Sequence, residues 1–161
     1  MVSSREFPDR PVVGVGGVLI HKGRVLLVKR NAEPLRGEWS IPGGALELSE
    51  TLVEGVAREL KEETGICVRV GELIELFDRI WIDERPGKDV AKPQFHYVIA
   101  DYLCEYISGE PIPGSDAADV AYASEDDLSK FHLTPTAMRV LRKAFAMDRQ
   151  RRKDNNHDSI L

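Results

Sequence analysis

The feature that most constrains this sequence is an acidic, amphipathic segment between residues 51 and 65. Ser49 or Thr51 offers a hydroxyl that can cap the amino terminus of a helix. Gly65 is a common left-handed terminator at the carboxyl end. The apolar residues between them recur with a helical period. The segment therefore predicts one helix that begins at the cap and runs to about Thr64.

Three glutamates of this predicted helix fall on one face. At about 100° per residue, Glu59, Glu62 and Glu63 lie within an arc of about 100°. The neighbouring arc is expected to face the core and holds Val53, Val56, Ala57, Leu60 and Thr64. The acidic face is thus predicted to lie at the border between core and solvent.

Two interpretations of the acidic face are open. An ordinary acidic helix is solvated and pairs with its own basic residues, here Arg58 and Lys61. Adjacent glutamates repel each other, however, and hard divalent cations favour clustered oxygen ligands. Gly55, one turn before Glu59, costs about 1 kcal/mol relative to alanine in a helix interior. This predicts a group packed closely against the backbone there, and together these features favour a metal site.

Composition limits the classes of protein to which the chain can belong. Its 161 residues, 42% of them hydrophobic, suit one globular domain. We place that domain at residues 1–148 and expect a polar, flexible tail over residues 149–161. No apolar run approaches the ~20 residues of a membrane span, and the amino terminus lacks a signal-peptide core, so a cytoplasmic protein is expected. A net charge of −5 makes nucleic acid an unexpected partner.

The rest of the chain alternates strand-like segments with loops. β-prone runs on either side of residues 21–23 predict a β-hairpin. Further strands are expected at residues 39–41, 68–82, 95–106 and 120–123. A short helix is expected after Ser124, and Thr134 followed by Pro135 opens a final helix that ends near Met147.

Residues 44–66 also form a longer pattern of fixed positions. The order is Gly44, five residues, Glu50, seven residues, Arg58-Glu59-Leu60, one residue, Glu62-Glu63, one residue and Gly65-Ile66. This pattern resembles the signature of the Nudix hydrolases at every fixed position. Residues 37–44, Gly-Glu-Trp-Ser-Ile-Pro-Gly-Gly, resemble the segment that leads into it. The resemblance implies the Nudix fold, an α/β protein in which a mixed β-sheet lies between α-helices as an α/β/α sandwich.

The resemblance also implies roles for the matching residues. The expected Mg²⁺ ligands are Glu59 and Glu63, with Glu62 as a further or water-mediated ligand and the backbone carbonyl of Gly43. Mn²⁺ is the expected substitute for Mg²⁺. Glu50 and Arg58 are expected to orient the carboxylates. An ideal helix would place Glu50 opposite Glu59, which predicts that Glu50 lies in the turn before the helix.

The chemistry expected at such a site is hydrolysis of a diphosphate. Mg²⁺ neutralises charge developing at phosphorus and lowers the pKa of a bound water that attacks. A carboxylate must take the proton of that water. Family members use either a glutamate of the signature, here Glu62 or Glu63, or an acidic residue in a downstream loop. Asp116 is the loop candidate, with Glu110 and Asp119 behind it, although an acidic loop residue is more often simply solvated.

The resemblance implies as substrate a nucleoside diphosphate linked to another moiety, and the signature does not specify that moiety. The chain is most similar to bacterial members called ADP-ribose pyrophosphatases, so ADP-ribose or a related ADP-sugar is expected. A proline associated with ADP-ribose hydrolysis is absent, because residues 79–82 read Arg-Ile-Trp-Ile and the nearest proline is Pro86. A MutT-like nucleoside triphosphate pyrophosphohydrolase, including one for oxidised nucleotides, is the alternative. A nucleotide-sensing Nudix domain without activity is the alternative from another class.

Four residues outside the signature are candidates for binding substrate. Trp39 and Trp81 can stack on a base, and Arg79 or Arg85 can meet a phosphate, although aromatic residues in strands more often belong to the core. Similar enzymes are often homodimers, so a homodimer that acts on a small-molecule nucleoside diphosphate derivative is expected. An RNA contact through basic residues 149–153 is a further alternative.

Overall fold

The computed structural model of the chain describes residues 5–87 and 92–158. Its strands are β1 Val12–His21, β2 Arg24–Arg30, β3 Trp39–Ser40, β4 Gly43–Ala45, β5 Cys67–Trp81, β6 Phe95–Ser108 and β7 Ala117–Ser124. Its helices are α1 Leu52–Thr64 and α2 Pro135–Asp158, and a 3₁₀ turn spans Leu128–Phe131. Predictions that fall on residues 1–4, 88–91 or 159–161, including the end of the tail, lie outside the described residues.

The described strands form one mixed sheet. Their order is β3-β2-β1-β6-β5, with β4 also paired to β1 and β7 also paired to β2. β1 and β6 run parallel, whereas β2, β4 and β5 pair antiparallel with their neighbours. Lys22 and Gly23 turn the chain between β1 and β2 with φ values of +51° and +74°. The predicted hairpin is therefore confirmed.

Two apolar layers cover the two faces of the sheet. The layer under α1 includes Val15, Leu19, Val56 and Leu60, and the layer under α2 includes Val18, Ile20, Val140 and Leu141. Because successive residues of a strand point to opposite faces, β1 supplies side chains to both layers. This arrangement confirms the expected α/β/α sandwich.

Helix α1 begins and ends where the sequence predicts. Thr51 is the N-cap: its hydroxyl accepts from the Glu54 N–H at 3.2 Å, and the Glu54 carboxylate accepts from the Thr51 N–H at 2.8 Å. Gly65 ends the helix in the left-handed conformation with φ +74°. Ser49, the other candidate cap, lies before the helix with φ +68°. The cap fixes where the helix starts and hence the direction in which each glutamate points.

Helix α2 is longer than predicted. The sequence places its end near Met147, but it continues to Asp158. Arg151 and Arg152 both donate to the carboxylate of Asp148, at 3.0 and 2.8 Å, and such pairs one turn apart stabilise the helical conformation of this basic segment.

No helix in the described part of the chain is both long and apolar enough to cross a membrane.

The segment before α2 also differs from the prediction. A 3₁₀ turn at Leu128–Phe131 replaces the short helix expected after Ser124. The Ser124 hydroxyl donates to the Asp127 side chain at 2.9 Å and closes a turn instead of capping an α-helix. The division of the chain at residue 148 into a domain and a tail stays a prediction.

Candidate active site

The acidic face of α1 lies against strand β4. Glu59 and Glu63 are only 9% and 8% exposed, whereas the Glu62 side chain is 57% exposed. The Gly43 N–H donates to Glu63 Oε2 at 2.9 Å. A Cβ at Gly44 would lie 2.3 Å from Glu59 Oε1. The glycines of β4 thus make room for two buried carboxylates, and the third glutamate of the predicted face points to solvent.

Arg58 connects the acidic residues of the site. Its Nε and Nη2 donate to the two carboxylate oxygens of Glu50 at 2.6 and 3.0 Å. Its Nη1 donates to Glu59 at 2.8 Å and to Glu62 at 3.1 Å, while Nη2 also reaches the Ala45 carbonyl at 3.1 Å. Because the guanidinium group is planar, these bonds fix the relative positions of the carboxylates. Glu50 lies in the turn before α1, as predicted.

The two buried carboxylates are costly to ionise. Burial raises the pKa of Glu63 to about 8; the Gly43 N–H acts against this, and the charge of Glu59 adds to it. Burial also raises the pKa of Glu59, against the opposing effect of Arg58. A divalent cation bound beside both groups would offset their desolvation and their mutual repulsion.

The oxygen atoms offered at α1 suit such a cation, although their side chains do not already converge on one position. In residues 5–87 and 92–158, no three acidic, histidine or cysteine side chains converge on a position for an ion. Arg58 accounts for this, because it bonds both Glu59 and Glu62 and the latter side chain stays mostly in solvent. The site offers only oxygen atoms, two of its carboxylates are buried one turn apart, and hard divalent cations prefer such ligands.

Gly55 allows the turn that carries Glu50 to pack against α1. A Cβ at Gly55 would lie 2.9 Å from Leu46 Cδ1, 3.0 Å from Glu50 Oε2 and 3.2 Å from Val15 Cγ2. This confirms the prediction that a group approaches the helix backbone closely at this point. The glycine therefore serves the position of the carboxylate that binds Arg58.

The loop before β7 reaches the carboxyl end of α1. The Gly114 N–H donates to the Glu63 carbonyl at 2.9 Å, and the Asn31 N–H donates to the Asp116 carbonyl at 3.3 Å. The pKa of Glu63, raised mainly by burial, is raised further by the negative charge of Asp116. The candidate base of the loop therefore lies within electrostatic range of the buried glutamates.

Two arginines that the sequence did not single out also lie beside the buried glutamates. Arg30, the last residue of β2, acts against the effect of burial on the pKa of Glu63, and its Nε donates to the Pro34 carbonyl at 2.7 Å. Arg5 acts in the same sense on the pKa of Glu59. The position of Arg30 directly after an apolar strand was a usable signal, whereas only the folded chain brings Arg5 to this place.

The predicted substrate-binding residues lie away from α1. Trp39 packs edge-to-face on an aromatic residue of the 3₁₀ turn at 5.2 Å. The Arg79 guanidinium lies 4.6 Å from the centre of the Trp81 ring. Arg85, in the loop after β5, donates to both carboxylate oxygens of Asp83 at 2.7 and 2.6 Å. Arg79 and Trp81 thus pack on each other on β5, at the edge of the described sheet. The binding roles of all four residues stay predictions.

Comparison with known proteins identifies the family. The family model described as NUDIX domain matches residues 9–145 of the chain. These residues include every residue of the α1 site except Arg5. The chain therefore belongs to the Nudix hydrolase family, as its signature indicates.

Individual relatives agree with this assignment. A protein of Methanocaldococcus jannaschii named ADP-ribose pyrophosphatase is 32% identical over 120 residues, which cover 74% of this chain and 66% of that protein. A MutT-like protein of Streptomyces ambofaciens is 33% identical over 134 residues, covering 83% and 77%. The crystal structure of a MutT NUDIX hydrolase from Burkholderia pseudomallei superimposes with a TM-score of 0.69 at 31% identity, covering 84% of this chain and 98% of that one.

Proposed function

We propose that this protein hydrolyses the diphosphate linkage of ADP-ribose or a related ADP-sugar in the presence of Mg²⁺, giving AMP and a sugar phosphate. The observation that carries the proposal is the pair of buried carboxylates, Glu59 and Glu63, held against the glycines of β4. The archaeal relative named ADP-ribose pyrophosphatase supports the choice of substrate.

The metal would be held by residues of α1 and β4. Glu59, Glu63 and the backbone carbonyl of Gly43 would hold Mg²⁺, or Mn²⁺ in its place, with Glu62 on the solvent side directly or through water. When bound, the ion supplies charge neutralisation at the diphosphate and lowers the pKa of the attacking water. Arg58 positions the Glu59 carboxylate through a 2.8 Å hydrogen bond and is itself fixed by Glu50.

The proton of the attacking water needs an acceptor. We assign it to Asp116, whose loop is bonded to the carboxyl end of α1 and whose charge acts on Glu63. Glu62 and Glu63 are the alternative acceptors, since both belong to the helix that carries the metal ligands. In either case a carboxylate must lie within hydrogen-bond reach of the water.

Positive groups near the carboxylates and aromatic groups elsewhere on the sheet support binding of a nucleotide. Arg30 and Arg5 place positive charge beside Glu63 and Glu59, where phosphate oxygens would lie. Arg79 stacked on Trp81 offers a flat surface and a charge on the α2 side of the sheet. Trp39 and Arg85 would contribute only after exchanging their present contacts with the 3₁₀ turn and Asp83.

A second candidate function is pyrophosphohydrolysis of nucleoside triphosphates, including oxidised ones. The relative named MutT-like protein, 33% identical over 83% of this chain, favours it. The absence of a proline before Pro86 in the segment after the signature also favours it over ADP-ribose hydrolysis. A nucleotide-sensing domain would bind these compounds without turnover.

A substrate panel separates these functions. Purified protein with Mg²⁺ is tested on ADP-ribose, other nucleoside diphosphate sugars, NADH, diadenosine polyphosphates and nucleoside triphosphates, and products are identified by chromatography. Glu63→Gln protein prepared in parallel controls for contaminating phosphatases. The highest kcat/KM is expected for ADP-ribose or another ADP-sugar, with AMP as product. Triphosphates as the best substrates would replace our proposal with the second candidate, and no turnover of any compound would contradict both.

We also propose that the protein is a cytoplasmic homodimer. β5 lies at the edge of the described sheet and exposes Leu76 and Ile80, 62% and 50% accessible. Light scattering should give twice the mass of the chain, and the mass of a monomer at assay concentrations would contradict this.

A further inference from the structure

Asp101 on β6 is a buried acidic residue that the α1 site does not use. It is 4% exposed, and among residues 5–87 and 92–158 no hydrogen bond or ion pair to its carboxyl group is found. A carboxyl group removed from water without a partner destabilises a fold. Such a group in a folded protein is expected to bind a ligand, a water or an ion that supplies its missing hydrogen bonds.

The carboxyl group of Asp101 is almost entirely buried but keeps a small contact with solvent. Among the described residues, every fully enclosed oxygen or nitrogen of a side chain has a hydrogen-bond partner. Since no partner of the carboxyl oxygens of Asp101 is found in the described part of the chain, these oxygens belong to the 4% of the residue that remains exposed. Asp101 is therefore a buried acceptor that is not fully enclosed.

The register of the sheet places Asp101 two strands away from Gly43 of β4, the strand that borders the α1 site. Asp101 pairs with Gly16 of β1, and Gly16 pairs with Gly43 of β4. Neighbouring strands are about 4.8 Å apart, so the Cα atoms of Asp101 and Gly43 are roughly 10 Å apart. Gly16 leaves space for the carboxyl group, because a Cβ there would lie 2.1 Å from Asp101 Oδ1. A sugar joined to a phosphate beside Gly43 could span this distance.

Unlike Asp101, the neighbouring acidic residue on this face has a partner. Glu75 is its partner on β5, and the Glu75 carboxylate accepts from Arg139 Nε of α2 at 3.0 Å. Farther along the same face, Trp81 lies edge-to-face with Tyr97, their ring centres 6.1 Å apart. Alternate residues of a strand share a face, which places Arg79 there as well. Starting from Gly43, the face thus presents first a free carboxyl group and then an aromatic surface.

We propose that Asp101 determines substrate specificity by accepting hydrogen bonds from the adjacent hydroxyl groups of a ribose next to the diphosphate. This inference rests on the proposed function and names how its substrate is selected. A carboxylate has two acceptor oxygens and no donor, which suits a pair of hydroxyl donors. A substrate that lacks one hydroxyl would leave the buried carboxyl group without its partner, and sites of this kind discriminate strongly against such analogues.

The decisive experiment compares ribose with deoxyribose. kcat/KM is measured for ADP-ribose, for the analogue lacking the 2′-hydroxyl of the adenosine, and for the analogue lacking the 2-hydroxyl of the terminal ribose. Wild-type protein should prefer ADP-ribose over one of the two analogues by about 10- to 100-fold, the value of one hydrogen bond to a charged group. The analogue that is rejected identifies which ribose Asp101 binds.

Variants assign the preference to Asp101. Asp101→Asn should reduce it to less than about threefold, mainly through a higher KM for ADP-ribose, because one acceptor oxygen is lost. Glu75→Gln is the matched control on the same face and should keep the wild-type ratio. Gly16→Ala is a second test that leaves Asp101 in the chain, since its Cβ would displace the carboxyl group. It should lower the ratio as well.

Binding without turnover keeps this proposal separate from the proposed function. Calorimetry compares AMP with deoxy-AMP and ribose 5-phosphate with 2-deoxyribose 5-phosphate on wild-type and Asp101→Asn protein. A preference for the ribose form that disappears in the variant supports the role of Asp101 even if no diphosphate is hydrolysed. Equal use and binding of ribose and deoxyribose compounds by wild-type protein overturns the proposal. A wild-type ratio in folded Asp101→Asn protein does the same.

Discussion

One carboxyl group on the α2 face of the central sheet is held differently from the carboxylates on the α1 face. On the α1 face, Glu50 and Glu59 share one guanidinium group and Glu63 accepts from a backbone N–H. On the α2 face, the carboxyl group of Asp101 has no partner among the described residues. The acids assigned to the reaction are thus held in place before substrate arrives, whereas the acid assigned to recognition remains free to bind it. Positions that are fixed in advance favour chemistry, and free groups favour discrimination.

Neutralising Glu63 should produce the largest effect on the α1 face. Glu63→Gln keeps the shape of the side chain but removes the proposed metal ligand and its charge, so kcat with Mg²⁺ should fall about 10³-fold. Circular dichroism should show an intact fold. Glu72→Gln, an exposed glutamate on β5, is the control and should behave as wild type. Turnover near the wild-type rate in Glu63→Gln would contradict the assignment of the metal ligands.

Replacing Arg58 by lysine tests whether the positions of the carboxylates matter beyond their charge. Lysine keeps the positive charge but cannot form the two-pronged contact with Glu50 while it also binds Glu59 and Glu62. kcat should fall about 10²-fold, with weaker binding of the metal as the cause. If Arg58→Lys turns over normally, the charge alone suffices and the α1 face is less rigidly organised than we describe.

Asp116 tests which carboxylate accepts the proton. Asp116→Asn should lower kcat by about 10²-fold, because the attacking water then lacks its proton acceptor. Asp126→Asn, an exposed acid beyond β7, is the control. An unchanged kcat in Asp116→Asn would transfer the role of base to Glu62 or Glu63.

The last effect concerns the stability of the α2 face and not catalysis. Burial raises the pKa of Asp101 to about 7 from its ordinary 3.8, with a further contribution from Glu75. The folded protein therefore binds this proton more tightly than the unfolded chain, and the contribution of Asp101 to stability falls as pH rises from about 4 to about 7. Asp101→Asn removes this loss, because the amide does not titrate.

Urea unfolding of both proteins across this pH range measures the effect. The free energy of unfolding of Asp101→Asn minus that of wild type should increase by up to about 4 kcal/mol between about pH 4 and pH 7, at about 1.4 kcal/mol per pKa unit. It should then level off. A difference that stays constant with pH would show that Asp101 is ionised in the fold and has a partner after all.

Local patterns predicted α1 well, because its cap, its terminator and its close contact at Gly55 depend on neighbours in sequence. The same patterns did not indicate that Glu62 is more exposed than Glu59 and Glu63, since a helical wheel carries no information on the bonds that Arg58 makes. The extent of α2 also escaped prediction, because Arg151 is held by Glu105 on β6 as well as by its own helix. Asp101 was not recognisable in the sequence, since only the pairing of β1 with β6 places it opposite Gly16.

Metal binding by the α1 face tests the account most directly. Mn²⁺ affinity is measured by electron paramagnetic resonance for wild-type, Glu63→Gln and Glu72→Gln protein in the absence of substrate. We predict saturable binding to the wild type and to Glu72→Gln, and at least about tenfold weaker binding to Glu63→Gln, because the variant lacks one of the two buried carboxylates of α1. Equal affinity in all three proteins would contradict the claim that Glu63 and the helix that carries it hold the metal.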